Sequence, residues 1–150
     1  QRVRYGAGEA SRIGDEAVTL GARRVFVLTD PGIVSAGHVA RAEASLRDAG
    51  LQVAVWSGVR ENPTSSVMSE AATSAREFGP DTLVGVGGGS SLDVAKGVNF
   101  LLAGGGRMED YHGTGKGRGT PLHSIGLPTT AGTGSEAQSY ALVCRDEDGV

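Results

Sequence analysis

The chain has 150 residues, a formal net charge of −3, 25 glycines and a single cysteine. That length suits one domain with its own core, and the mild acidity argues against a nucleic-acid surface or a polybasic membrane patch. One cysteine cannot close an internal disulfide, no apolar run approaches membrane-spanning length, and no signal peptide is visible, so a cytoplasmic protein is expected.

The first residue is Gln1 rather than Met, which reads as a trimmed or partial chain. The glycines are clustered rather than periodic. This excludes collagen and points to local backbone work. Residues 24–29, Arg-Val-Phe-Val-Leu-Thr, predict a buried strand ending in the turn Asp30-Pro31-Gly32. Val39, Ala42, Leu46 and Ala49 recur at helical spacing, so a helix is expected over 37–49 with Gly50 as its stop. Residues 51–56 predict a second strand, closed by a loop around Asn62-Pro63-Thr64. The next helix would be capped by Ser65 or Ser66, carry Val67, Ala71, Ala75 and Phe78 on one face, and end at Gly79-Pro80.

Residues 82–86 predict a third strand that runs into Gly87-Gly88-Gly89, after which Ser90 opens a helix through Leu102. A long loop follows over 104–121, of a length that is often functional. Its Tyr111 and His112 are candidates for a cleft rim, whereas Lys116 and Arg118 read as loop solvation. Residues 124–127 predict a fourth strand and 140–144 a last one, with a closing turn over 145–149. Cys144 falls in that last apolar run, where a buried inert thiol is expected.

Strand and helix alternate. This predicts an α/β, Rossmann-like fold: a parallel sheet flanked by helices, with right-handed crossovers. Ligands of such sheets bind beyond the carboxyl ends of the strands. The turns after Leu28, Val86 and Leu127 fall there.

The most pointed motif is Gly87-Gly-Gly-Ser-Ser-Leu-Asp93, between a strand and a helix. Glycines let backbone N–H groups approach a phosphate, and a helix start adds free N–H donors and the positive end of its dipole. The same residues also read as a tight turn in which Ser90 and Asp93 form a capping box. Leu92 stands where the standard dinucleotide fingerprint has its third glycine, and no P-loop spacing occurs. Gly132-Thr-Gly134-Ser-Glu-Ala137 does match G-x-G-x-x-A, a weak signal alone. Asp30 can accept hydrogen bonds from ribose hydroxyls and repel a 2′-phosphate, or it can simply open a turn. Thr129, Thr130 and Thr133 offer hydroxyls to a cofactor or to local turns. His38, His112 and His123 show no metal-ligand spacing.

Taken jointly, Gly87-Gly-Gly-Ser-Ser-Leu-Asp93-Val-Ala-Lys96 and Leu127-Pro-Thr-Thr-Ala-Gly-Thr-Gly-Ser-Glu136 resemble the two N-terminal signatures of the iron-containing (group III) alcohol dehydrogenases. Thr29-Asp30, Asn62-Pro63-Thr64 and Tyr5-Gly-Ala-Gly8 are similar to further elements of that family. The resemblance spans the chain. It implies a dehydroquinate synthase-like N-terminal domain over 1–150 that binds NAD or NADP, and the carboxylate of Asp30 is expected to favour NAD over NADP. It places Gly88, Gly89, Ser90, Ser91 and Asp93 at the diphosphate and neighbouring ribose. Asn62, Thr129, Thr130, Thr133 and Leu142 would line the rest of the cleft.

The family's helical domain, with its ligands to divalent iron or zinc, is expected outside this stretch. The stretch alone is therefore expected to be inactive and to carry no catalytic or metal-ligating residue. The complete enzyme would move hydride between a small alcohol or aldehyde and nicotinamide, and a homodimer is open. Glycerol dehydrogenases and maleylacetate reductases share the architecture. The alternative is a stand-alone or truncated nucleotide-binding module without catalysis.

Overall fold

The computed structural model describes residues 2–146; Gln1 and the end of the closing turn over 145–149 lie outside the described residues. Four strands form one parallel sheet: β1 (Arg24–Leu28), β2 (Gln52–Trp56), β3 (Thr82–Gly87) and β4 (His123–Pro128), in the order β2-β1-β3-β4. The helices are α1 (Ile13–Thr19), α2 (Pro31–Ser35), α3 (His38–Asp48), α4 (Ser65–Phe78) and α5 (Gly89–Gly104). The expected α/β sheet with flanking helices is therefore what the chain forms, in three layers. No helix among the described residues is long and apolar enough to cross a membrane.

The central strands explain the layers. Side chains alternate along a strand, and in β1 both sets are apolar. Val25 and Val27 join Ile13, Ala17, Val39, Ala42 and Leu46 of α1 and α3 on one face. Phe26 and Leu28 join Val67, Met68, Ala71, Val94 and Val98 of α4 and α5 on the other. Val25, Val27, Leu28, Leu83 and Val84 are shut off from solvent, and full burial of such a side chain is worth about 1.5–3 kcal/mol. A strand sealed on both faces needs a continuous apolar run, which β1 and β3 have; the two edge strands β2 and β4 are only partly buried.

The register ties the sheet to the site. Leu28 of β1 stands beside Trp56 of β2 and Gly85 of β3, and Gly87 of β3 pairs with Pro128 of β4. The carboxyl ends of the strands thus open at one rim. From β1 the chain crosses through α3 on one face, and from β3 through α5 on the other. This reversal is the switch point where open α/β sheets hold ligands.

Several expectations change. The Asp30-Pro31-Gly32 turn is the start of α2: Asp30 is its N-cap, its Oδ1 accepting from Ile33 N at 3.0 Å, with Pro31 in the first helical turn. Pro suits that position because its missing N–H costs the helix nothing there. Neither Ser65 nor Ser66 caps α4; Thr64 holds the cap position, its hydroxyl bonded to the Ser66 hydroxyl at 2.8 Å and to no backbone N–H of the helix. Asp146, 80 residues away in sequence, supplies the carboxylate instead, accepting from Ser66 N at 3.1 Å and Ser66 Oγ at 2.6 Å.

The long loop contains a 3-10 turn, Met108–Tyr111, closed by Arg107 and Asp110. Helix α1, which the sequence reading did not assign, docks on α3 through Gly14 N donating to Ser45 Oγ at 3.1 Å.

The expected last strand over 140–144 does not form. Its backbone groups are taken by side chains: Leu142 N donates to Asp93 and Tyr140 O accepts from Lys96. Only a single parallel bridge, Thr64 with Cys144, is left of strand pairing. The stretch 133–146 is a strap laid across α5 and the start of α4. Its Cys144 is half-buried rather than buried.

Candidate functional site

A crevice of about 530 Å³ opens at the switch point. It is lined by Asp30, Pro31 and Ile33 after β1, Val59, Arg60 and Glu61 after β2, Gly88 to Ser91 after β3, and Thr129, Thr130 and Thr133 after β4. Each group sits beyond the carboxyl end of its strand.

The floor is the start of α5. Gly87 has a φ of +145°, and a Cβ there would stand 2.4 Å from Ser91 Oγ, so only glycine fits. Gly88 is the N-cap, and no side chain caps α5. The capping box read from Ser90 and Asp93 is absent. The first N–H groups of a helix have no partner within it, and here they face the crevice together with the helix dipole. Opposite stand the threonines. A Cβ on Gly88 would lie 3.4 Å from Thr130 Oγ1, and one on Gly89 3.3 Å from Thr133 Cγ2. Between helix start and threonine wall runs a narrow slot, in which a β-carbon at 88 would touch Thr130 and one at 89 would press on Thr133.

Asp30 serves two purposes. Its Oδ1 caps α2, while its Oδ2 accepts from Ser91 Oγ at 3.4 Å. The carboxylate is therefore fixed at the crevice and keeps one oxygen toward it. Arg60 and Glu61, absent from the sequence reading, share the lining. The rule that flagged the turns after the other three strands would have flagged them too, had it been applied after Trp56.

Of the residues expected at the site, the structure gathers Asp30, Gly88, Gly89, Ser90, Ser91, Thr129, Thr130 and Thr133. It places three elsewhere. Asn62, with a φ of +50°, lies on the loop just past Glu61, outside the crevice lining. Leu142 is exposed on the strap. Asp93 is 5% exposed and faces the strap: its Oδ1 accepts from Lys96 Nζ at 2.9 Å and Ser135 Oγ at 2.5 Å, its Oδ2 from Leu142 N at 3.2 Å.

A larger cavity of about 720 Å³ lies between the 3-10 turn and the strap, lined by residues that include Phe100, Glu109, Tyr111, His112, Lys116, Tyr140 and Cys144. Tyr111 and His112 thus do border a cleft. The Glu109 carboxyl is held below its usual range, first by its own backbone N–H and then by Ser65. The helix start nearest this cavity is that of α4, and the Asp146 carboxylate already occupies it. An anion is therefore better served by the uncapped start of α5. Among the described residues, no group of three or more His, Cys, Asp and Glu is placed to hold a metal ion.

Known proteins share this arrangement. The family model "Iron-containing alcohol dehydrogenase" matches residues 1–150. The 4-hydroxybutyrate dehydrogenase of Cupriavidus necator is 40% identical over 146 residues, covering 93% of this chain and 37% of the relative. The NAD-dependent methanol dehydrogenase of Bacillus methanolicus is 33% identical over 138 residues, covering 92% and 36%. Among solved structures, sulfoacetaldehyde reductase from Bifidobacterium kashiwanohense in complex with NAD+ superposes with a TM-score of 0.86 at 32% identity, over 96% of this chain and 38% of that one. The chain spans little more than a third of these relatives' length. With the whole chain inside the family model and the sheet and helices superposing on solved members, the chain belongs to the iron-containing alcohol dehydrogenase family.

Proposed function

We propose that residues 1–150 are the dinucleotide-binding half of an alcohol dehydrogenase, and that the crevice between β1 and β3 takes NAD in preference to NADP. The observation that carries this reading is the uncapped start of α5 at the crevice, where glycines at 88 and 89 leave its backbone open beneath Thr130 and Thr133. A diphosphate needs N–H donors and close backbone approach, and the slot offers both. Gly88, Gly89, Ser90 and Ser91 would hold the diphosphate, and Thr129, Thr130 and Thr133 would border it. Asp30 Oδ2 would accept from the adenosine ribose.

A 2′-phosphate would meet that same carboxylate, at a cost on the order of 1–3 kcal/mol for like charges partly shielded from water. Arg60 opposes this preference without cancelling it, because Glu61 lies beside it in the lining. Asn62 and Leu142 flank the cleft from outside in this reading. NAD binding is supported by the NAD-dependent methanol dehydrogenase and the NAD+ complex among the relatives.

When bound, the nicotinamide supplies the carbon that takes or gives hydride. This chain's residues contribute binding and orientation: a fixed diphosphate restricts where the ring can lie. Among the described residues, no cluster of His, Cys, Asp and Glu suits a catalytic metal. A divalent iron or zinc would belong to the rest of the enzyme, together with most of the pocket for a small alcohol or aldehyde.

Calorimetric titration of the chain tests the reading. NAD should bind, and Gly89→Val should weaken it by about thirtyfold or more, equivalent to ~2 kcal/mol, with a smaller change in melting temperature. A parent chain that does not bind NAD contradicts it. Unchanged affinity in the variant would reduce the glycines to turn residues.

A further inference from the structure

We infer that Asp93, Lys96 and Ser135 form a latch that sets the width of the nucleotide crevice, with Asp93 acting as a positioning residue rather than a cofactor ligand. The inference rests on the nucleotide reading of that crevice.

The geometry has three parts. First, the Asp93 carboxylate accepts three hydrogen bonds, from Lys96 Nζ of its own helix and Ser135 Oγ of the strap on one oxygen and from Leu142 N of the strap on the other. It is absent from the crevice lining. Second, Lys96 Nζ closes the circuit, donating also to Ser135 Oγ at 2.9 Å and Tyr140 O at 2.7 Å. Ser135 is 2% exposed, so the latch lies in a shielded setting where charge-assisted hydrogen bonds are strong. Third, the strap is continuous with the threonine wall. Ser135 N donates to Thr133 Oγ1 at 3.3 Å, and Thr133 is the residue that faces Gly89 across the slot.

Asp93 and Lys96 lie one turn apart on α5, the helix whose start forms the crevice floor. One helix thus carries the floor at its first turn and, just beyond it, the anchor for the opposing wall. The near end of the wall is tied to the sheet, Thr129 N donating to Gly87 O at 2.9 Å. Among the described residues the stretch 133–142 belongs to no sheet, so the latch is what holds the far end of the wall, at Thr133.

This assigns a function to the acidic and basic members of the Asp93-Val-Ala-Lys96 run. Loosening them should widen the slot and lower dinucleotide affinity while leaving β1, β3 and the α5 N–H donors in place.

The experiment compares the parent chain with Ser135→Ala, Asp93→Asn, Lys96→Met and Lys96→Arg. It reads NAD affinity by calorimetry at a temperature where circular dichroism shows each chain folded, with hydrogen exchange of 130–142 alongside. Ser135→Ala removes one hydroxyl and is the variant least able to unfold the protein. Ser135→Ala and Lys96→Met should each lose about tenfold in affinity or more, the scale of one hydrogen bond to a charged group. Exchange should rise in 130–142 but not in β1 and β3, and Lys96→Arg should regain much of the affinity. A network that only stabilises the fold would lower the melting temperature and leave affinity unchanged in all four variants, and that result overturns the inference. If the parent itself fails to bind NAD, the nucleotide reading falls and takes the inference with it. A parent that binds while every variant binds equally removes the latch alone.

Discussion

Strand β3 leads into the floor of the crevice and the strap over 133–146 continues from its threonine wall, but the two are held in place by different means. β3 pairs backbone to backbone with β1 and β4 and is buried along its whole length. The strap pairs mostly backbone to side chain, with Asp93, Lys96 and one bridge at Thr64. A sheet interior shares its energy among many apolar contacts and a regular ladder. The strap concentrates it in a few named groups. Substitutions in β3 should therefore be global in effect, whereas substitutions under the strap should act locally on the crevice.

The largest expected effect tests the first half of that contrast. Leu83 is fully buried in the face shared with α4 and α5, and Leu83→Ala should cost about 3 kcal/mol in denaturant unfolding through lost transfer energy and an unfilled cavity. The loss should register equally by circular dichroism and by protection of the strap. A loss confined to one of the two would show that they do not fold as a unit.

Next in size is cofactor choice at the crevice. Asp30→Gly should raise the NADP to NAD affinity ratio by roughly one to two decades. Arg60→Ala should move the ratio the other way by a smaller factor, since an exposed charge is screened. Equal affinity of the parent for the two cofactors, or a ratio unmoved by Asp30→Gly, would leave Asp30 as the cap of α2 and nothing more.

The smallest effect lies at the far end of the strap. The Asp146 carboxyl sits below its ordinary value of 3.8, chiefly through the Ser66 hydroxyl and then Thr64. A depressed folded value means that this contribution is fully present above the unfolded value and is lost as pH falls through the folded one. In thermal melts, Asp146→Asn should be slightly less stable than the parent at neutral pH. The gap should close as the solution is taken below pH 3.8. A gap independent of pH would mean that the bond to Ser66 is not charge-assisted.

The same contrast explains what was legible in the sequence. β1, β3, α3 and α4 announce themselves because their burial is encoded in adjacent residues: apolar runs for strands sealed on both faces, and Val67, Ala71, Ala75 and Phe78 at helical spacing. The floor of the crevice was legible for a similar reason, since Gly87, Gly88 and Gly89 are consecutive. The strap was misread as a strand because Tyr140 to Cys144 has strand-like composition, and no local pattern says that Asp93 and Lys96, more than 40 residues earlier, take its backbone groups. Asp93 itself fits a capping box by spacing alone, and only its distant partners decide otherwise. Arg60 and Glu61 carry no motif; their only signal in the sequence is their position just past the second strand, Gln52–Trp56.

The most direct measurement is an amide chemical-shift map of the isotopically labelled chain titrated with NAD. The central claim is that the crevice at the β1–β3 switch point is the nucleotide site. The largest shifts should fall at Asp30 to Ile33, at Val59 to Glu61, at Gly88 to Ser91 and at Thr129 to Thr133, with the amides of Gly89 and Ser90 foremost. Shifts confined to Met108, Tyr111 and the residues around Cys144 would place the nucleotide in the larger cavity instead. That pattern, or no saturable shift at all, would contradict the claim.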